Sequence, residues 1–162
     1  MNQADITVHD RPVVDAALTE SERTGGPAAA LELPDGSIVT GKTSDLLGAC
    51  SALLLNALKE LAGIGHEIKI ISPQAIEPIQ SLKTKYLGSR NPRLHTDEVL
   101  IALSVSAATS EDAKLAMEQL PKLKGCQAHV SVMPGSVDIK QFKLLSIQAT
   151  FEAKYEKNSV FF

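Results

Sequence analysis

Gly36-Ser37-Ile38-Val39-Thr40-Gly41-Lys42-Thr43 decides how this chain is read. As a motif it satisfies the phosphate-loop pattern G-x-x-x-x-G-K-[ST], with an apolar helical run directly after it. As local chemistry it says something else. Ile38 and Val39 are β-branched and favour an extended chain, where a phosphate loop must curl. Pro34-Asp35-Gly36-Ser37 is a turn: proline presets φ and glycine supplies a positive φ. Ala29–Leu33 before it and Ile38–Thr40 after it then form a β-hairpin. The acid that a nucleotide site places at a strand end to hold Mg²⁺ is missing, since Ile68–Ser72 and Val130–Met133 offer none. Nucleotide hydrolysis is therefore set aside. A narrower reading survives: Gly41, Lys42, Thr43 and Ser44 open a helix and hold one phosphate, sulfate or carboxylate. Against it stands capping alone, with Thr43 or Ser44 closing the helix start and Lys42 solvated.

Outward from the hairpin, helix and strand signals alternate. Leu46–Leu61 reads as a buried helix, apolar over much of its surface, and Gly63 and Gly65 end it. Glu67–Ser72 reads as a short central strand carrying Ile68, Ile70 and Ile71. Because proline is costly inside a helix, Pro73–Glu77 is expected to be a turn and Pro78–Leu87 a helix capped by Gly88. Thr96–Ala107 is an apolar helix, and Thr109-Ser110-Glu111-Asp112 caps another that runs to Leu120. Gln127–Met133 alternates like a half-buried strand. Asp138–Leu145 is a helix and Ile147–Phe151 the last strand. The expected fold is α/β: a layered α/β/α sandwich with a mixed sheet and an N-terminal β-hairpin. Residues 1–27, with a weak helix over Asp15–Arg23, read as a lead-in or linker. Residues 28–156 read as a single domain, and 157–162 as a tail ending in Val160-Phe161-Phe162.

Composition narrows the function classes. The 162 residues suffice for one real core, built from aliphatic side chains because aromatics are 4% and tryptophan is absent. A net charge of −3 gives no pull toward nucleic acid or an anionic membrane. No apolar run is long enough to span a bilayer, and Met1–Asp10 has no signal-peptide pattern. Cys50 and Cys126 are far apart and read as buried and reduced, which fits a cytoplasmic setting. Neither a cofactor nor a metal is called for, because His9, His66, His95 and His129 are scattered. His129, on a strand, reads as a packed or surface residue rather than a ligand.

The second polar motif is Asn91-Pro92-Arg93-Leu94-His95-Thr96-Asp97-Glu98. Arg93 can fork onto a phosphate or carboxylate, and His95 can exchange a proton near neutral pH. Asp97 and Glu98 can orient that histidine or accept protons. The competing reading makes Thr96 an N-cap, with Asp97 and Glu98 as first-turn partners of the helix dipole. If the Gly41 and Asn91 loops share one edge of the sheet, Lys42, Thr43, Ser44, Arg93 and His95 form one pocket for a small anionic ligand.

Several long segments together resemble one bacterial family. They are L-P-D-G-S-I-V-T-G-K-T-S-D-L-L-G-A (Leu33–Ala49), A-L-L-L-N-A-L-K (Ala52–Lys59), I-S-P-Q-A-I-E-P-I-Q (Ile71–Gln80) and N-P-R-L-H-T-D-E-V-L-I-A-L-S (Asn91–Ser104). Over roughly Gly26–Glu156 the chain is similar to the family known as domain of unknown function 1846, or UPF0371. That resemblance implies a longer parent protein of which this is the C-terminal α/β region, partnered by an N-terminal region. It implies no established activity. The Thr40–Ser44 and Arg93–Glu98 positions match the family's two polar motifs. Near the end, Ser146 stands where the family pattern has glycine and Ala153 where it has proline. Three functions follow as expectations: an accessory or assembly domain with a small-anion site, a hydrolase or transferase using His95 with Asp97 or Glu98, and a homo-oligomerisation domain. In the last, the slim Gly48–Ala52 helix end and Phe161-Phe162 face partner chains.

Overall fold

The computed structural model describes residues 11–153. The hairpin forms as its turn chemistry requires. Strands β1 (Ala28–Glu32) and β2 (Ile38–Lys42) pair antiparallel, Leu31 opposite Val39. Gly36 takes φ +88°, and the Asp35 carboxylate accepts from the Ser37 N–H and hydroxyl. β3 (Gln127–Val130) pairs antiparallel with β1, and β4 (Gln148–Phe151) pairs parallel with β3. The mixed sheet thus has the order β2-β1-β3-β4.

Alternation along β1 assigns the two faces. Ala30 packs with Val13 and Ala17 of helix α1 (Pro12–Thr24). Ala29 and Leu31 belong to the main core with Leu53, Leu54 and Leu58 of helix α2 (Ala49–Ala62). The helix expected over Asp15–Arg23 therefore starts earlier, at Pro12, and lies against the sheet with Val13, Val14 and Ala17 fully buried. On the α2 side follow α3 (Pro73–Ser81), α4 (Thr96–Ser106), α5 (Glu111–Met117) and α6 (Ser136–Leu144). Ser110 caps α5 by accepting from the Ala113 N–H. Helix α4 packs on α2, α5 and α6, and α5 packs on α2. Both cysteines are buried thiols. Val160-Phe161-Phe162 lies outside the described residues.

Three sequence expectations are corrected. Glu67–Ser72 is not a strand: Ile70 and Ile71 are buried in the core, but the segment is a turn and bends with no ladder partner. Burial of two isoleucines needs no sheet, and an apolar run this short does not distinguish the two cases. Helix α3 begins at Pro73, not Pro78, and carries Pro78 within it. Pro73 occupies the favourable first position. Pro78 is exposed, and the chain continues as a π turn over Leu82–Tyr86. Finally, α2 begins at Ala49 with Gly48 as its N-cap, five residues beyond Ser44. Asp45 and Leu46 instead form a bend, and Leu47 bridges to Leu94.

Candidate functional site

That last correction changes the meaning of the Gly41 motif. Gly41 and Lys42 belong to β2, and Thr43 and Ser44 do not cap a long helix. A side chain at Gly41 would collide with α2: its Cβ would lie 2.6 Å from the Leu53 Cα and 2.9 Å from the Ala49 carbonyl oxygen. The glycine is there to let strand and helix touch. Lys42 pairs across from Ala28, so it points to the α1 face, where its charge adds to the Arg23 hydrogen bond that chiefly lowers the pKa of Glu20. The Thr43 N–H donates to Pro27 O and the Ser44 N–H to Leu47 O. The Ser44 hydroxyl accepts from the N–H groups of Leu46 and Leu47. These donors are consumed by the chain itself, and Gly41–Ser44 do not line the cavity described next.

A cavity of about 290 Å³ opens beyond the C-terminal end of β3. Its walls come from three helix starts and the β3–α6 loop. Gly48, Ala49 and Cys50 begin α2, His95 precedes α4, and Gly135–Asp138 begin α6. Asn91, Arg93, Val130, Val132, Met133 and Pro134 complete the lining. Both α2 and α6 have glycine N-caps in extended conformation with no side-chain cap bond. The first-turn N–H groups of a helix have no internal acceptor and carry its positive dipole end. Here two such uncapped ends border one space.

His95 is held from behind. Its Nδ1 lies 3.2 Å from Glu98 Oε1, which also accepts the His95 backbone N–H at 2.8 Å. The same carboxylate oxygen accepts from Lys83 Nζ at 2.9 Å. The hydrogen bond to Glu98 raises the His95 pKa above its ordinary value. The Asp138 charge adds to this, and burial and Lys83 oppose it. Burial would lift the Glu98 pKa, but the bonds from His95 and Lys83 outweigh it and bring it down to about 2. With Nδ1 engaged by Glu98, Nε2 is the ring nitrogen available to the cavity. Arg93 is anchored through Nε to the Ser44 carbonyl at 2.5 Å. Asp97 does not line the cavity; its carboxylate accepts from the Glu98 N–H. Burial, with the Asp138 charge, holds the Cys50 thiol well above the ordinary range, which disfavours the reactive thiolate. Among the described residues no group of three or more metal-ligating side chains occurs. No helix among them is long and apolar enough to cross a membrane.

Of the residues singled out from sequence, Arg93 and His95 both line the cavity and Glu98 supports His95 from behind. Gly41, Lys42, Thr43, Ser44 and Asp97 do not line it. Gly48 and Pro134–Asp138 were missed. Their signal was present: Pro134-Gly135 opens a helix just beyond the C-terminal end of a strand, where α/β sheets gather ligands. His129, expected to be packed or on the surface, is buried on the α1 face, between the Thr150 hydroxyl and the Glu152 carboxylate, each at 2.7 Å.

Comparison with known proteins gives one family. A family model described as domain of unknown function DUF1846, C-terminal, matches residues 9–161. A UPF0371 protein of Corynebacterium glutamicum is 56% identical over 161 residues, covering 99% of this chain and 32% of the relative. The UPF0371 protein CE2832 of Corynebacterium efficiens is also 56% identical with the same coverage. The Streptococcus thermophilus UPF0371 protein str1377 is 48% identical over 161 residues, covering 99% of this chain and 33% of the relative. The chain thus spans about a third of the length of these relatives.

Proposed function

We propose an anion-binding function for this chain, which belongs to the DUF1846 C-terminal domain family: it is an accessory or assembly domain that holds a phosphate- or carboxylate-bearing small molecule in the cavity beside His95. The observation that carries this reading is the pair of helix starts with glycine N-caps and no side-chain cap bond, Gly48 and Gly135, both lining one cavity. Backbone donors and a histidine with a raised pKa give an anion several partners without a metal. The cavity volume suits a small metabolite better than a polymer.

Thermal melting against inorganic phosphate, phosphate monoesters and citrate, at constant ionic strength, tests it. A ligand at 100 times its dissociation constant adds about 2.7 kcal/mol of stability. His95→Ala should weaken the response. Gly135→Asp is the sharper variant, since a Cβ there meets nothing within 4 Å. Its carboxylate would cap α6 and occupy the anion's place. It should keep or slightly raise the stability of the unliganded protein, by a few tenths of a kcal/mol, and abolish the response. An unchanged response in Gly135→Asp rejects the site.

A second reading is supported by the chain Lys83–Glu98–His95. A carboxylate behind Nδ1 orients a histidine so that Nε2 can give or take a proton. The domain would then act in a hydrolase or transferase on a phosphorylated or other anionic small molecule. The test is turnover of phosphate esters: His95→Ala must abolish any rate found, and an undiminished rate ends this reading.

A further inference from the structure

Helix α4 is apolar on its outer as well as its inner face. Val99, Ala102 and Leu103 are buried, while Ile101 and Val105 are 63% and 69% exposed. A helix apolar all round is normally covered on every side. Beside it the π turn exposes Leu82, Tyr86 and Leu87, the last two at 78% and 70%. The Lys83–Glu98 ion pair at 2.9 Å fastens these two elements together. Glu98, Ile101 and Val105 follow the i, i+3, i+7 spacing of one helix face. The exposed side chains therefore flank a common seam. Exposed large apolar side chains grouped on neighbouring elements in this way mark an interaction site.

Length identifies what covers it. The Corynebacterium glutamicum relative matches nearly all of this chain with only 32% of its own length. The family model describes the matched part as C-terminal. About two thirds of such a protein lies outside the match, and an inter-domain interface needs an apolar centre. We infer that the α4 and Leu82–Leu87 face is the docking surface for the N-terminal region of the full-length protein, with Ile101, Val105 and Tyr86 at its centre.

Thiol labelling of a chimera tests this. The present chain replaces the homologous third of the Corynebacterium glutamicum protein, and Ile101→Cys or Val105→Cys is introduced. Cys50 and Cys126 are buried and do not compete. Maleimide labelling at 101 and 105 should be at least tenfold slower in the chimera than in the isolated chain. Lys114→Cys, exposed on α5, should label equally in both. Equal rates at 101 and 105 overturn the inference. So does slow labelling of the isolated chain that is relieved by dilution, which would assign the face to a second copy. Should the chimera misfold, amide exchange settles it. In the intact relative, the segment homologous to 96–106 should exchange more slowly than in its isolated C-terminal third; equal exchange contradicts the docking.

Discussion

The Asp138 carboxylate accepts both the backbone N–H of Thr96, at 3.0 Å, and its hydroxyl, at 2.8 Å. One side chain in the first turn of α6 thereby fixes the first turn of α4, and the cavity lies between those two helix starts. Thr96 is fully buried, and Asp138 is the acceptor for both of these donors. Asp138→Ala leaves two buried donors unpaired and should cost about 1–3 kcal/mol. Asp138→Asn keeps an oxygen acceptor and should cost less. It also removes a negative charge from the cavity wall, so it should tighten anion binding. Urea denaturation with a phosphate titration on both variants checks this. Equal stability of the alanine variant and the wild type contradicts it.

Gly41 and Lys42 separate a packing motif from a phosphate loop. Gly41→Ala drives a methyl group into the α2 backbone at Leu53 and should destabilise by about 1–3 kcal/mol. Lys42→Ala, exposed on the opposite face, should change stability by less than about 0.5 kcal/mol, and it should leave anion binding intact. Loss of binding in Lys42→Ala would restore the loop to the site.

Ser146 has φ +60°, the one non-glycine residue with positive φ among those described. A side chain in that region costs roughly 1 kcal/mol, so Ser146→Gly should raise stability by about that amount. The midpoint of urea unfolding reads it directly. A lower midpoint would mean that the lost chain entropy of glycine dominates.

The hairpin, the mixed sheet and the cap of α5 were legible in the sequence because each rests on local rules: Pro-Asp-Gly for the turn, alternation for the strands, Ser110 before an acidic first turn. The position of Gly41 was not. Its glycine serves a contact with Leu53, twelve residues away and on another element, and no local pattern reports such a contact. Arg93 and His95 stood out because charged groups were crowded before an apolar helix. Gly135 did not, since an uncapped helix start looks like ordinary loop until the fold brings a second one, at Gly48, beside it. The strand expected over Glu67–Ser72 failed for a related reason: Ile70 and Ile71 are buried by neighbouring helices rather than by a ladder.

His95 and Glu98 set opposite limits on pH. The folded pKa of His95 is raised, so its contribution to stability is complete below about 6.5, its ordinary value, and is lost as pH rises through the folded value. That of Glu98 is lowered to about 2, so its contribution is present above 4.5, its ordinary value, and is lost as pH falls toward 2. Stability of the wild type should therefore decline relative to His95→Ala as pH rises above 6.5. Denaturation midpoints across pH 6–9 measure it; parallel profiles for the two proteins contradict the assignment.

The most direct test is crystallographic. Crystals soaked in tungstate or selenate, heavier analogues of phosphate and sulfate, would show by anomalous scattering where an anion lodges. The account predicts one strong peak within hydrogen-bond reach of the first-turn amides of α2 and α6 and of His95, absent from Gly135→Asp crystals. Peaks confined to surface lysines, with that cavity empty at saturating anion, would contradict it.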